Sequence, residues 1–249
     1  MYNKVKTAAE IEAIRESGKM LATVLQKIEA FVDVGVTGKQ VDELASRELK
    51  KLGGAPAFLG YQGFPGSVCI SLNDAVVHGI PNDTPFKDGD VIGFDFGVIY
   101  KGMVTDAART FVVGEVSGKL RSLLTATQRS LDDAINVVKD GCTVGDIASS
   151  AQRALDEKGY GIVRDLVGHG VGHNVHEEPE IPNQGVPGTG PMLKSGMTIA
   201  IEPMSTLGDW RVVMDPDGWT IRTRDGSLSA HFEDTILVTD QGAEILTRL

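Results

Sequence analysis

Four acidic residues lie where apolar stretches of the chain meet turns, in positions from which carboxylates could bind cations. Asp95 follows the apolar part of VIGFDFG, and Asp106 comes eleven residues later, beyond a turn at Lys101–Gly102. A hairpin folded at that turn would bring the two carboxylates together. Glu202 ends the apolar run TIAIE, and Glu233 begins the run EDTILV. Because a buried, ionised carboxylate is costly without a partner, each glutamate either has a partner or lies at a sheet edge.

Three of the five histidines fall within one glycine-rich segment, GHGVGHNVH. His169, His173 and His176 could bind a metal or exchange protons, because neutral imidazole does both. The glycines have the spacing GxGxG, which is not the pattern of a nucleotide-phosphate loop. The segment also lacks the HExxH arrangement of helical zinc proteases. Imidazole and carboxylate ligands together indicate a site for Mn, Fe, Co or Zn with nitrogen and oxygen donors, and not a zinc site made of thiolates.

The elements that must position these residues begin with two pairs of helices. Apolar residues recur at helical spacing over residues 8–31 and again over residues 120–138. The second helix of each pair starts at a capping box, headed by Thr37 in the first pair and by Thr143 in the second. The same order of helix, turn and capped helix recurs at an offset of 106 residues, which predicts an internal repeat.

Strands are predicted where short apolar runs lie between glycine, proline and aspartate, over residues 68–71, 91–95, 98–100, 108–113, 161–163, 198–201, 219–222 and 235–238. Helix pairs followed by such strands predict an α+β fold with mostly antiparallel sheet. No linker separates the halves. We therefore expect a single domain over 1–249, with two pseudo-symmetric halves at roughly 8–110 and 114–240.

The repeat suggests how the four carboxylates are arranged. Asp95 and Glu202 are 107 positions apart, which makes them symmetry mates, and Asp106 with Glu233 completes a quartet. Four carboxylates in one place carry a charge of about −4 and repel one another. Two divalent ions would neutralise that charge, and such a pair of ions is the arrangement of two-metal hydrolases.

The overall composition excludes several classes of partner. Lys and Arg number 24 against 34 Asp and Glu, which gives a net charge of −10 with no basic cluster. A nucleic-acid partner or an anionic membrane surface is therefore not expected. No stretch approaches the ~20 apolar residues that span a bilayer, and no signal peptide is expected. Cys69 and Cys142 are too few for a disulfide framework, so a cytoplasmic location is expected.

Five ordered segments resemble the methionine aminopeptidase family, which has the pita-bread fold shared with Xaa-Pro peptidases. They read SLNDAVVHGIP, DFGVIYKGMVTDAART, GHGVGHNVHEEP, TIAIEPM and WTIRTRDGSLSAHFEDTILVT. The resemblance implies two pseudo-symmetric halves around a central antiparallel sheet with outer helices. It also implies a metal-dependent aminopeptidase that removes N-terminal methionine from nascent polypeptides when the second residue is small. Two divalent ions (Co, Mn, Fe or Zn) and a monomeric enzyme are expected.

The same resemblance assigns roles to individual residues. The metal ligands are expected to be Asp95, Asp106, His169, Glu202 and Glu233. Of these, Asp106 and Glu233 would bridge the ions, and Glu202 would also transfer a proton. His78 and His176 would contact the scissile peptide and stabilise the tetrahedral intermediate. The methionine side chain would lie in a pocket lined by Tyr61, Phe64, Cys69 and Trp219.

Three places depart from the family pattern. Gly97 stands where bacterial members usually have threonine, and Val175 stands where an aromatic residue is expected. His231 and Asp234 flank Glu233 in place of the usual glutamine and histidine. The ligand set is unaltered, so hydrolysis is still expected, and the changes concern specificity and rate.

Two other functions fit parts of the sequence. An Xaa-Pro aminopeptidase or dipeptidase would use the same five ligands, although the AVVHGIP and WTIRTRDGSLSA segments favour the methionine enzymes. An inactive pita-bread module that binds a partner would usually have lost ligands, and all five are present here.

Overall fold

Two helix pairs pack against antiparallel sheets in the computed structural model, which describes residues 4–249. The helices are α1 (Ala8–Phe31), α2 (Gly38–Leu52), α3 (Gly118–Asn136) and α4 (Val144–Asp156). Each buries an apolar face, as the helical spacing predicts. Residues Ala8–Phe31 coincide with the predicted first helix, and α3 ends two residues before the predicted limit.

The predicted capping boxes start the second helix of each pair. The Thr37 side chain accepts a hydrogen bond from the Gln40 backbone N–H, and the Gln40 side chain accepts one from Thr37. Thr143 and Asp146 make the same reciprocal pair at α4. Helix α2 ends at Gly53, whose φ of 88° belongs to the left-handed region that glycine adopts without strain. Local sequence therefore fixes where these helices begin and end.

Fifteen strands, β1 to β15, are assigned within residues 4–249. In chain order they are Ala55–Pro56, Val68–Leu72, Ala75–Val77, Val91–Tyr100, Met103–Val112, Gly161–Ile162, Gly168–Gly170, Glu177–Ile181, Thr198–Ile201, Met204–Thr206, Val212–Met214, Ile221–Thr223, Ser229–His231, Asp234–Thr239 and Gly242–Ile245. The predicted runs at 91–95 and 98–100 are one continuous strand through Gly97. The strand predicted at 219–222 begins two residues later and ends one residue later. Several three-residue strands escaped prediction because they are too short to show a period.

All pairings of these strands are antiparallel, which confirms the α+β fold. In the first half, β4 lies between β1 and β2 and also pairs with β5. In the second half, the order of the largest sheet is β15-β14-β9-β7-β8. Two smaller sheets, β13-β10-β6 and β11-β12-β3, complete the set.

The two halves meet through the backbones of β5 and the start of β14. The Ala108 N–H donates to the Glu233 carbonyl, and the Glu233 N–H donates back to the Ala108 carbonyl. Nearby, the Thr235 hydroxyl accepts from the Asp106 N–H at 2.8 Å and donates to the Asp106 carbonyl. These bonds hold Asp106 and Glu233 next to each other. The division into repeats at 8–110 and 114–240 stays a prediction.

Candidate metal centre

Strands β4 and β5 form the hairpin that presents the two aspartates. Lys101 and Gly102 both have positive φ, 48° and 78°, as a tight two-residue turn requires. In the register of the hairpin, Asp95 lies opposite Ala108 and Asp106 lies opposite Gly97. Side chains alternate along a strand, so the two carboxylates point to the same face as diagonal neighbours. The predicted convergence of this pair is therefore present.

The other three predicted ligands come from the second half. His169 on β7 pairs with Ala200 on β9, and Glu202 follows the end of β9. Glu233 lies between β13 and β14, where the backbone bonds to Ala108 hold it. The Nε2 atom of His169 lies 3.6 Å from Oε1 of Glu202. The structure thus gathers the residues of both halves at one point.

Burial dominates the electrostatics of this acidic cluster. Asp106 and Glu233 are only 3 % and 2 % exposed. Burial raises the pKa of all four carboxyls, Asp95, Asp106, Glu202 and Glu233, well above their ordinary range. Repulsion from neighbouring carboxylates raises the pKa of Asp95, Glu202 and Glu233 further. Without cations, the folded protein disfavours four negative charges here.

The donor atoms fit divalent cations. Within residues 4–249, buried atoms that have no hydrogen-bond partner include Oδ1 of Asp95, Oδ1 of Asp106, Oε1 of Glu233 and Nε2 of His231. Such orphaned groups are rare in native proteins and indicate a missing ion or water. Two groups of ligand atoms lie close enough together to hold an ion, namely Asp106–His169–Glu233 and Glu202–His231–Glu233. Oxygen-rich sites with imidazole suit Mn, Fe, Co or Zn.

The histidines around the cluster are neutral. Burial lowers the pKa of His169 to about 3, and nearby His176 adds to that shift. Nδ1 of His169 lies 2.9 Å from the Gly170 carbonyl, so this nitrogen carries the ring proton and Nε2 keeps a free lone pair. Burial also lowers the pKa of His231 to about 3. A neutral imidazole with a carbonyl-fixed tautomer is the form that binds metals.

One cavity contains every residue to which the resemblance assigned a role, whereas His173 does not line it. Its empty volume is about 810 Å³, including solvent at the mouth. The five acidic and histidine ligand candidates lie together with His78, His176, Tyr61, Phe64, Cys69 and Trp219. Phe64 and Trp219 meet edge to face with ring centroids 5.2 Å apart. An apolar pocket thus adjoins the acidic cluster.

Several residues of this cavity were not predicted. Phe58, Val77, Leu166 and Met204 also line it, and nothing in their local sequence marks them. His78 has φ of 59°, unusual for a residue with a side chain. Strained backbone of this kind concentrates at functional sites, which agrees with the role that the sequence analysis gave to His78.

Three of the four residues that depart from the family pattern have identified neighbours in the structure. A Cβ atom on Gly97 would lie 2.8 Å from Cε1 of Phe58, so the Phe58 ring occupies the space beside the glycine. Asp234 is fully buried, and it accepts hydrogen bonds from Arg109 at 2.6 Å and from Arg248 at 2.7 Å. Val175 is buried in the apolar cluster that includes Phe58.

Comparison with known proteins defines the family. The sequence profile of metallopeptidase family M24 matches residues 12–240. The chain belongs to metallopeptidase family M24. M24 enzymes are metallopeptidases, which agrees with the acidic cluster as a place for divalent metal.

Individual M24 proteins are similar to this chain over nearly its whole length. The methionine aminopeptidase of Clostridium perfringens is 43 % identical over 243 residues, covering 98 % of both chains. The crystal structure of methionine aminopeptidase from Thermotoga maritima matches with a TM-score of 0.98 at 45 % identity, covering 99 % of this chain and all of that one. The prolidase from Pyrococcus furiosus matches at 27 % identity with a TM-score of 0.78, and only 65 % of its length is covered. The pita-bread fold of M24 proteins is therefore confirmed for this chain.

No helix within residues 4–249 is long and apolar enough to cross a membrane. The charge of −10 remains the argument against a nucleic-acid partner. A cytoplasmic location and a monomeric state stay predictions.

Proposed function

We propose that this M24 protein is a methionine aminopeptidase that hydrolyses the first peptide bond of polypeptides whose second residue is small. The observation that carries the proposal is a quartet of carboxylates, three of which have a buried oxygen without a hydrogen-bond partner within residues 4–249, beside an apolar, aromatic-lined cavity. Full-length similarity to proteins named methionine aminopeptidase supports the choice of substrate. N-termini of nascent chains are then the partners.

Five residues would hold two divalent ions, of Co, Mn, Fe or Zn. These are Asp95, Asp106, His169, Glu202 and Glu233. Asp106 and Glu233 would hold the ions from the two halves of the chain, because backbone bonds between the halves keep them next to each other. When bound, divalent cations would supply Lewis acidity and lower the pKa of water in the site.

The chain's own residues then perform the proton transfers and bind the substrate. Glu202 takes a proton from the water that attacks the scissile carbonyl and returns it to the departing amine. His78 and His176 donate hydrogen bonds to the carbonyl oxygen as it becomes negative. Burial lowers the pKa of both rings, so they are neutral N–H donors at pH 7.

Tyr61 fixes the orientation of one of these donors. Its hydroxyl lies 3.0 Å from Nδ1 of His176. If the phenol donates to Nδ1, the neutral imidazole carries its proton on Nε2, the nitrogen that is free to reach substrate. Replacement of Tyr61 by Phe should therefore weaken catalysis through the tautomer of His176.

Selectivity for methionine would come from the aromatic part of the cavity. Phe64, Trp219 and Phe58 present apolar surface beside the acidic cluster. An unbranched thioether side chain packs well against aromatic rings. The preference for small second residues rests on the resemblance to the methionine aminopeptidase family.

The test combines metal reconstitution with two peptides. Protein stripped with EDTA should be inactive, and Co²⁺, Mn²⁺, Fe²⁺ or Zn²⁺ added stepwise should restore cleavage of Met-Ala-Ser and not of Ala-Pro-Ala. Asp106→Ala should abolish turnover while the protein remains folded, because the site loses a carboxylate that would hold the ions. Cleavage of Ala-Pro-Ala alone would identify an Xaa-Pro peptidase instead. Full activity of Asp106→Ala would contradict the ligand assignment.

A further inference from the structure

A second imidazole faces Glu202 from the side opposite His169. Nε2 of His231 lies 3.4 Å from Oε2 of Glu202, whereas Nε2 of His169 lies 3.6 Å from Oε1 of the same carboxylate. Each carboxylate oxygen of Glu202 therefore lies near the Nε2 atom of a different histidine. Nε2 of His231 is also 3.9 Å from Oε2 of Glu233.

The position of His231 is fixed by the backbone of β13. Its N–H donates to the Thr110 hydroxyl at 2.9 Å, and its carbonyl accepts from the same hydroxyl at 2.7 Å. The side chain is 3 % exposed. Within residues 4–249 its Nε2 atom has no hydrogen-bond partner of normal geometry. A buried polar atom left in this state is costly, so a partner in the working enzyme is expected.

The surroundings of Nε2 select one tautomer of the neutral ring. With cations bound, both neighbouring carboxyls are ionised, and a lone pair on this nitrogen would then face carboxylate oxygens of Glu202 and Glu233 and be repelled. An N–H at the same place is attracted by both. Hydrogen bonds in enzyme sites are often long before substrate or cofactor binds and shorten afterwards.

We infer that His231 is a positioning residue, whose Nε2–H donates to Oε2 of Glu202 and holds the carboxylate with Oε1 turned toward His169. The inference rests on the proposed metal site. It leaves Oε1 free to act as ligand and Oε2 anchored, so the carboxylate cannot rotate away from the reacting water. Charge-assisted hydrogen bonds of this kind orient ligands strongly.

Two substitutions distinguish hydrogen-bond donation by the side chain at position 231 from the space that this side chain fills. His231→Gln keeps an N–H at the same number of bonds from Cα, because the path through Cβ, Cγ and Cδ to Nε2 is equal in both residues. His231→Leu fills similar space without a donor. We expect His231→Gln to keep the Mn²⁺ dissociation constant and kcat within about threefold of wild type. His231→Leu should lose roughly 10- to 100-fold in Mn²⁺ affinity, the range typical of groups that orient ligands.

The readouts distinguish positioning from structure and from direct metal binding. Equilibrium unfolding of the metal-free proteins should give similar stability for the two variants, and KM should change less than kcat in His231→Leu. In Co²⁺-loaded protein, His231→Gln should keep the same set of hyperfine-shifted imidazole NMR signals as wild type. Loss of one imidazole signal in that variant would make His231 a ligand and overturn the inference. Wild-type Mn²⁺ affinity and kcat in His231→Leu would overturn it as well.

Failure of the proposed function gives a different result. If wild-type protein and Asp106→Ala bind Mn²⁺ equally weakly, the metal site itself is refuted. If only Asp106→Ala loses Mn²⁺ and His231→Leu behaves as wild type, the metal site stands and the role of His231 is refuted. His173→Gln provides the matched control, because His173 is partly exposed and its Nε2 bonds to Glu10 at 2.8 Å, away from the carboxylate quartet.

Discussion

A methyl group added at Gly97 tests how the apolar pocket is built. Gly97 lies on β4 opposite Asp106, and its ideal Cβ position is 2.8 Å from both Cβ of Ala57 and Cε1 of Phe58. The strand is hydrogen-bonded on both sides, to β1 and to β5. The backbone is therefore held, and the Phe58 ring must move, toward the cavity it lines.

Overpacking of this kind costs about 1–3 kcal/mol, and we expect Gly97→Ala to lose that much free energy of unfolding. In a chain of this size the loss corresponds to a fall in Tm of roughly 2–12 °C. Gly93→Ala is the matched control on the same strand and face. Its new Cβ would meet nothing nearer than Cβ of Ser71 at 3.7 Å, an ordinary contact. It should change stability by less than about 1 kcal/mol.

A double-mutant cycle with Phe58→Ala identifies the clashing partner. Phe58→Ala alone should cost about 3–5 kcal/mol for the lost buried ring. The double variant should lose about 1 kcal/mol less unfolding free energy than the sum of the two single variants, because the Phe58 ring no longer blocks the new methyl group. The clash of the new methyl group with Ala57 remains in the double variant, so Phe58→Ala removes only part of the cost of Gly97→Ala. Urea unfolding measures each corner of the cycle, and strict additivity would refute a direct Gly97–Phe58 contact. KM for a methionyl peptide should rise in Gly97→Ala and not in Gly93→Ala.

Three further predictions concern the cluster and its neighbours. Burial raises the pKa of the Glu233 carboxyl, so the folded metal-free protein retains a proton that the unfolded chain releases above pH ~4.3, and this contribution to stability falls as pH rises. In EDTA, Glu233→Gln should therefore gain stability relative to wild type as the pH rises above ~4.3; a pH-independent difference in urea titrations would contradict this. Asp234→Asn should lose about 3 kcal/mol of unfolding free energy because it breaks a buried ion pair, whereas Asp209→Asn, in an exposed pair, should change it by less than about 1 kcal/mol. Equal stability of the two variants would show that the buried pair contributes nothing. Val175→Phe should cost about 1–3 kcal/mol, because its cluster already contains the Phe58 ring; a lower KM with unchanged Tm would show that space remains there.

Much of the fold could be predicted because its signals are local. Helix limits at α1 and α2 follow from apolar periodicity and from caps that involve residues three positions apart. The turn at Lys101–Gly102 is also predicted by a local signal, the two adjacent residues that form it. Strand limits were less accurate, and β3, β7, β10 and β13 have three residues each, too few to show alternation.

Sequence alone determined which side chains could bind cations and which of them stand next to apolar strands. Their meeting depends on bonds between distant segments, such as Ala108 with Glu233, which no local pattern encodes. The same holds for the contact of Phe58 with Gly97 and for the two histidines on either side of Glu202. Types and spacing of residues are properties of the chain, whereas distances between strands arise only when both halves pack, and that packing decided the electrostatics and the shape of the cavity.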